Sequence, residues 1–162
     1  MAQLSASVAA YAGRTVDMLA FDDAKASGEA KLSQTLVKPQ QSGALTTGIQ
    51  KLAQRFLVEL LTEKGSLEYL PDRGTFFITQ IRAGIIHTSQ ELFAAFSAAE
   101  LDVRNNLRLE DDIDNDPLDE QYRSASLLTA SLFGDTASLT IEVFSAAGTS
   151  RTVIYPLRVA TV

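Results

Sequence analysis

The sequence predicts an α+β protein: a small helical core packed on an antiparallel C-terminal meander, with an N-terminal strand-like arm in front. Three observations carry that expectation. Apolar residues recur with a 3.6-residue period through the middle of the chain and alternate with a period of two near its end, while residues 1–42 keep neither pattern for long. Two units follow: an arm over residues 1–42, expected as a hairpin, and a domain over 43–162 whose final strands cover 126–159.

In the arm, Thr15 to Phe21 (TVDMLAF) places Val16, Met18 and Ala20 on one side of a strand, and Glu29 to Val37 (EAKLSQTLV) is a second strand. The polar stretch DDAKASG between them ends in Gly28 and suits a hairpin connection. Lys38-Pro39 then favours extended backbone before the loop QQSG.

From about Leu45 the pattern becomes helical. Ile49, Leu52, Phe56, Leu57, Leu60 and Leu61 form one stripe, with Lys51, Gln54, Arg55 and Glu59 assigned to the opposite face. Gly65 is the expected stop, with Lys64 in the last turn where a cation suits the helix dipole. Thr75 to Ala83 (TFFITQIRA) fits a short helix or a strand, and Gly84 breaks it. Thr88-Ser89-Gln90-Glu91 reads as a capping box. The helix it opens aligns Leu92, Phe96, Ala99, Val103 and Leu107 and ends near Leu109. Asp116 before Pro117, with Asp119 following, predicts a brief helix over Pro117 to Arg123.

The last zone reads as three antiparallel strands. Ser126 to Phe133 is followed by Ala137 to Ser145, where Leu139, Ile141 and Val143 alternate with Thr140, Glu142 and Phe144. Gly148 turns the chain into Arg151 to Val159, with Val153, Tyr155, Leu157 and Val159 on one side. Pro156 lacks an amide hydrogen and marks an edge or a strand end.

Composition narrows the functional classes. A chain of 162 residues has the size of one domain, and 46% hydrophobic residues suffice for a core. Twenty acidic against fourteen basic residues give a net charge of −6, which argues against a nucleic-acid footprint. Without cysteine there is neither disulfide framework nor thiol nucleophile. No apolar run approaches the roughly 20 residues of a membrane span, and the start lacks the basic region of a signal peptide. A protein outside the membrane and synthesised in the cytoplasm is expected.

Chemistry-bearing patterns are sparse. Asp112, Asp114 and Asp116 have the alternate spacing of calcium ligands, but an EF-hand loop needs Gly at 117 and Glu at 123, where Pro117 and Arg123 stand. His87 is the only histidine, and no G-x-S-x-G elbow surrounds any serine. Glu63, Glu68 and Asp72 gather around one loop, the residue types of a glycoside hydrolase without a readable separation. No phosphate-cradling glycine motif occurs. Neither catalysis nor a cofactor or metal is expected.

The most informative stretch follows the first helix: Leu60, Leu61, Thr62, Glu63, Lys64, Gly65, Ser66, Leu67, Glu68, Tyr69, Leu70, Pro71, Asp72, Arg73 and Gly74. It resembles the baseplate-wedge and sheath-initiator family of contractile phage tails, shared with type VI secretion and R-type tailocin baseplates. Members typically end a helix in a Leu-Leu-Thr-x-x-Gly-like stretch followed by Pro, an acidic residue, an aromatic and Gly. Leu60, Leu61, Thr62, Gly65, Pro71, Asp72 and Gly74 match; Ser66 stands where the family usually has Glu, and Arg73 replaces the aromatic. The resemblance covers roughly residues 44–162 and leaves the arm without a counterpart.

The resemblance implies a virion protein of the tail baseplate, assembled in the host cytoplasm, with sheath subunits, wedge proteins and tail tube or hub proteins as partners and about six copies per particle. Leu139, Ile141, Val143, Val153, Tyr155 and Leu157 are the candidate residues for pairing with a sheath strand. The motif loop with Gly65, Glu68, Pro71, Asp72, Arg73 and Gly74 is the candidate contact to the wedge or brace of the core, since Arg73 can fork onto a carboxylate. The residues themselves add that no lysine follows Lys64 to blunt a sheet edge. Two other readings stand beside this one. One is a soluble adaptor or assembly chaperone binding a single partner through the same edge. The other is a peptidoglycan-cleaving enzyme using Glu63, Glu68 or Asp72.

Overall fold

Among the described residues two long helices pack on a three-stranded antiparallel sheet, a short helix packs on both of them, and the apolar core lies between these layers. The structure is a computed structural model that describes residues 14–18, 21–23, 30–32, 45–133 and 136–158. The elements run β1 (Asp17–Met18), β2 (Phe21–Asp23), β3 (Ala30–Leu32), β4 (Leu45–Thr46), α1 (Gly48–Leu61), α2 (Phe77–Arg82), α3 (Ser89–Glu110), β5 (Tyr122–Phe133), β6 (Thr136–Ser145) and β7 (Ser150–Arg158). The fold is α+β, a helical core on a C-terminal meander.

Helix α1 begins at Gly48 rather than near Leu45, because Leu45 and Thr46 pair with Met18 and Asp17 in a small ladder. It also ends before Lys64. The Thr62 carbonyl is taken by the Thr75 amide (2.8 Å) and the Thr75 carbonyl by the Lys64 amide (3.0 Å), so Glu63 forms a bridge with Thr75. The apolar stripe of α1 is buried as its period requires, but Gln54 and Glu59, expected on the outer face, are buried too. Thr75 to Ala83 contains the helix α2, which buries Phe77, Ile78 and Ile81 and leaves Phe76 exposed.

Helix α3 starts with a complete capping box: the Glu91 amide donates to Thr88 Oγ1 (3.2 Å), and the Thr88 amide donates to Glu91 Oε2 (3.0 Å). Its stripe of Leu92, Phe96, Ala99, Val103 and Leu107 is buried along its length. Aromatic rings join the layers. Phe56 of α1 stacks on Tyr122 of β5 at 5.8 Å and meets Phe96 of α3 at 6.3 Å, while Phe77 meets Phe96 edge-on at 6.2 Å.

The brief helix expected over Pro117–Arg123 does not form. Only one turn closes, from the Glu120 amide to the Pro117 carbonyl (2.8 Å). Propagation is blocked because the carbonyls of Leu118 and Gln121 accept from Ala147 and Ala146 of the β6–β7 turn (3.0 Å each), and the Tyr122 amide donates to Asp111 Oδ2 (2.7 Å). The meander therefore starts at Tyr122, four residues before the expected Ser126.

The sheet has the order β5-β6-β7. Register shifts between Tyr122 and Ser124 and between Leu127 and Thr129 bend β5; from Thr129↔Thr140 to Phe133↔Thr136 its pairing is regular. Helix α1 packs against β6 and β7, and α3 against β5. In the arm, β2 pairs antiparallel with β3 in the register Phe21↔Leu32, Asp22↔Lys31, Asp23↔Ala30, whereas β1 pairs with β4. The expected strands Thr15–Phe21 and Glu29–Val37 extend into residues 19–20, 29 and 33–37, which lie outside the described residues, as does the expected hairpin connection 24–28.

Candidate functional site

The motif loop leaves α1 at Thr62 and returns at Thr75, and one buried carboxylate holds it in place. Glu59, 3% exposed, accepts at Oε2 from Arg73 Nε (3.0 Å) and Nη2 (2.7 Å), the fork expected of that arginine. Its Oε1 accepts from the Gly74 amide (2.8 Å) and from Asn106 Nδ2 of α3 (2.6 Å). Arg73 Nη1 reaches on to Glu110, and Arg55 pairs with Glu110 (3.3 Å) and Asp111 (3.1 Å). Burial pushes the Glu110 carboxyl up, but Arg73 and Arg55 more than offset this and hold it below its ordinary value. The loop is thus riveted at its C-terminal end to α1 and α3.

The glycines differ in how strictly they are required. Gly74 has φ +84°, and a Cβ there would lie 2.4 Å from the Thr62 carbonyl oxygen, in the very ladder that ends α1. Gly65 also has positive φ (+85°), but nothing lies within 4 Å of its added Cβ. Gly74→Ala is expected to cost upwards of about 2 kcal/mol, through clash plus strain, and Gly65→Ala only about 1 kcal/mol. Urea unfolding of the two variants beside the parent chain measures both.

The remaining loop residues point outward. Tyr69 is 88% exposed, Leu67 and Leu70 are exposed, and so are Glu68, Pro71 and Asp72. Glu63 is occupied by Thr79 Oγ1 (2.9 Å) and Arg82 (3.7 Å). The loop therefore presents apolar surface and two exposed carboxylates on a fixed frame, rather than a cleft converging on Glu63, Glu68 and Asp72.

The candidate strand-pairing residues separate into two groups. Leu139, Ile141 and Val143 lie on β6, the central strand, and are 0% exposed against the helices. Both ladder edges of β6 are occupied by β5 and β7, so a foreign strand has no place beside these three residues; they are core. Val153 and Tyr155 sit on β7 with Val153 buried and Tyr155 partly buried, and burial pushes the Tyr155 phenol above its ordinary value. Leu157 pairs by backbone with Ala137, and its side chain lies outside the described residues. Pro156 accordingly stands on an edge strand.

Among the described residues β5 and β7 are the outer strands of the sheet, and β5 is finished unevenly. At its start, α3 caps the outer side: the Ala125 amide donates to Glu100 Oε1 (3.2 Å), Arg108 donates to the Arg123 carbonyl (3.4 Å), and the Tyr122 hydroxyl donates to Glu100 (2.9 Å). Arg104 pairs with that same Glu100 (2.7 Å). From Ser126 onward, no described side chain or loop backbone hydrogen-bonds to the outer side of β5. The run from Ser124 to Phe133 contains no charge and no proline, and Ser126, Leu128, Thr129 and Ser131 are exposed.

A third buried carboxylate ties the base of the arm to the core. Glu120, 1% exposed, accepts from the Gly48 amide (3.0 Å), Lys51 (3.0 Å) and Thr15 Oγ1 (2.8 Å), and neighbouring Asp119 pairs with Arg14 (2.8 Å). Burial raises the Glu120 carboxyl, but the Gly48, Lys51 and Thr15 hydrogen bonds outweigh it and leave it below its ordinary value of 4.5. A lowered carboxyl adds stability that is complete above about pH 4.5 and disappears as the pH falls through the folded-state value. Glu120→Gln is thus expected to flatten the fall of Tm with acidification below about pH 4.5, which a pH series of thermal melts measures.

Sequence patterns alone miss Glu59, Glu100 and Glu120 as organisers; only Glu100 carries a signal, an acidic residue four positions after Phe96 on the inward stripe of α3, whereas Glu59 lies on the outer face by period and Glu120 in a turn. The acidic turn is self-contained. Asp112 Oδ1 accepts from the amides of Asp114 (3.2 Å) and Asn115 (3.3 Å), and Asp116 Oδ2 from the Asp112 amide (2.9 Å). Among the described residues no group of three or more His, Cys, Asp or Glu side chains is placed to hold a metal ion, and no helix is long and apolar enough to cross a membrane. His87 is exposed, and its amide donates to Glu91 Oε2 (2.7 Å) as part of the α3 start. Comparison with protein-family models, with curated proteins and with solved structures finds no match to this chain.

Proposed function

We propose that the chain is a structural baseplate component of a contractile tail, one that joins the wedge to the central tube and templates the first sheath ring by strand addition. The observation that carries this reading is the outer edge of β5 past Ala125, long, uncharged and uncapped by any described residue, in a chain whose α1–loop segment bears the Leu-Leu-Thr and Pro-Asp-x-Gly residues of the sheath-initiator resemblance. The acceptor edge lies on β5 rather than beside the β6 row, since β6 is already paired on both sides. About five backbone hydrogen bonds to an added strand, at roughly 1 kcal/mol net each, make one contact modest. Several copies around a ring would make it decisive through effective concentration. The motif loop, braced by Glu59 and exposing Tyr69, is the surface offered to wedge proteins.

The test is co-expression with the sheath subunit of the same tail, read by negative-stain microscopy. Nucleated tubes carrying the chain at one end are expected. Ser131→Lys, on the exposed edge of β5, is expected to leave the fold intact and abolish nucleation. A chain that never co-purifies with tail particles overturns the reading. Capture of a single soluble partner without particles transfers the edge to an adaptor role.

A further inference from the structure

The outer edge of β5 ends among arginines, and that ending constrains what can pair with it. Where α3 crosses the edge, Glu100 Oε1 accepts from the Ala125 amide (3.2 Å) and Arg108 Nη2 donates to the Arg123 carbonyl (3.4 Å). An added strand lies about 4.8 Å from its neighbour, which is the space these two side chains fill beside residues 123–125. Such a strand can therefore pair along Ser126–Phe133 and leaves the sheet where it meets α3.

Three arginines stand at that exit, and one carboxylate answers them. Arg104 grips Glu100 through Nε (3.2 Å) and Nη2 (2.9 and 2.7 Å), and Glu100 also serves the Tyr122 hydroxyl and the Ala125 amide. Arg108 and Arg123 are exposed, and among the described residues neither meets a carboxylate. The acidic groups at the end of α3 are engaged elsewhere. Glu110 pairs with Arg55 and Arg73, and Asp111 with Arg55 and the Tyr122 amide. In a chain of net charge −6, this is a local positive excess at the point where an added strand ends. Arg108 spends one donor on the Arg123 carbonyl, and the rest of its guanidinium fork suits a carboxylate.

We propose that the β5 edge selects an extended segment that runs antiparallel to β5 and carries a carboxylate at its carboxyl end, where it meets Arg108 and Arg123. The direction follows from the ladder geometry. An antiparallel strand brings its carboxyl end to the start of β5, whereas a parallel one brings its amino end. Both ladders already in this sheet are antiparallel. The inference rests on the strand-addition reading and names the chemistry of the strand that the edge takes.

The test needs no tail partner and no variant. Capped peptides of about eight residues, alternating Thr and Val to suit a strand, are titrated into the intact chain and followed by NMR at the β5 amides. One carries Glu at the carboxyl end, one carries Glu at the amino end, and one carries Gln at the carboxyl end. The first is expected to bind at least about tenfold more tightly than the other two, and to lose that advantage in about 0.5 M salt. Arg108→Gln/Arg123→Gln, at two exposed positions, is expected to make the three peptides equal. Equal affinity of the Glu and Gln peptides for the parent chain, with β5 amides shifting in both cases, overturns the proposal and leaves strand addition standing. Tighter binding of the amino-end Glu peptide overturns it as well, through its direction. Peptides that leave the β5 amides unmoved at every concentration overturn strand addition itself, and this inference with it.

Discussion

Phe56→Ala is expected to lower the free energy of unfolding by about 4 kcal/mol, the upper part of the range for removing a buried aromatic. Phe56 is 0% exposed and is where the layers meet, stacked on Tyr122 from the sheet and touching Phe96 from α3. Its removal leaves a void that neither rigid helix can close, because the facing side chains are themselves fully packed. Urea unfolding is expected to show a lower midpoint with an unchanged slope, the signature of lost stability rather than a changed unfolded state. Phe76→Ala, at an exposed position only six residues before the next helix ends, serves as the control and is expected to cost less than about 1 kcal/mol. Equal losses at the two positions would contradict the assignment of Phe56 as the central contact.

Glu59→Ala comes next, with an expected loss of about 3 kcal/mol. The cost arises less from the missing carboxylate than from what it leaves behind: the Gly74 amide and the Arg73 guanidinium, both partly or wholly withdrawn from water, lose their acceptor. Glu59→Gln keeps an oxygen for Gly74 but not the charge facing Arg73, and is expected to recover about half of the loss. Hydrogen exchange localises the effect. The amide of Gly74 is expected to exchange much faster in Glu59→Ala while amides in the middle of β6 slow or quicken only with global stability. Retained protection at Gly74 would show that the loop is held by its own turns instead.

What the sequence discloses follows from the range of the forces involved. The α3 capping box was legible because Thr88 and Glu91 satisfy each other across three residues. The alternation of β6 was legible because one face meets the helices and the other does not. The failures share a cause. Gln54 and Glu59 obey the helical period for an outer face, yet loop 62–75 and the arm stem cover that face with partners distant in sequence. Asp116-Pro117 is a sound local helix start, overridden when the β6–β7 turn takes the carbonyls that a helix would need. Strand order is likewise invisible to alternation: the rows at Leu139 and Val153 read alike, but only the neighbours assembled from other segments decide which strand is central and which is an edge.

The far end of α3 has a consequence for how the molecule responds to its solution. Seven carboxylates fall between Glu110 and Glu120, beside the negative pole of a 22-residue helix, an arrangement that is repulsive by itself. Arg55 and Arg73 reach across from α1 and the motif loop to neutralise it. Those partly exposed pairs act over distances that added electrolyte screens within about 8 Å at physiological concentration, whereas the packed rings around Phe56 are indifferent to it. Salt therefore acts at this pole on both the repulsion among the carboxylates and the Arg55 and Arg73 pairs that offset it, while the aromatic packing around Phe56 stays as it is.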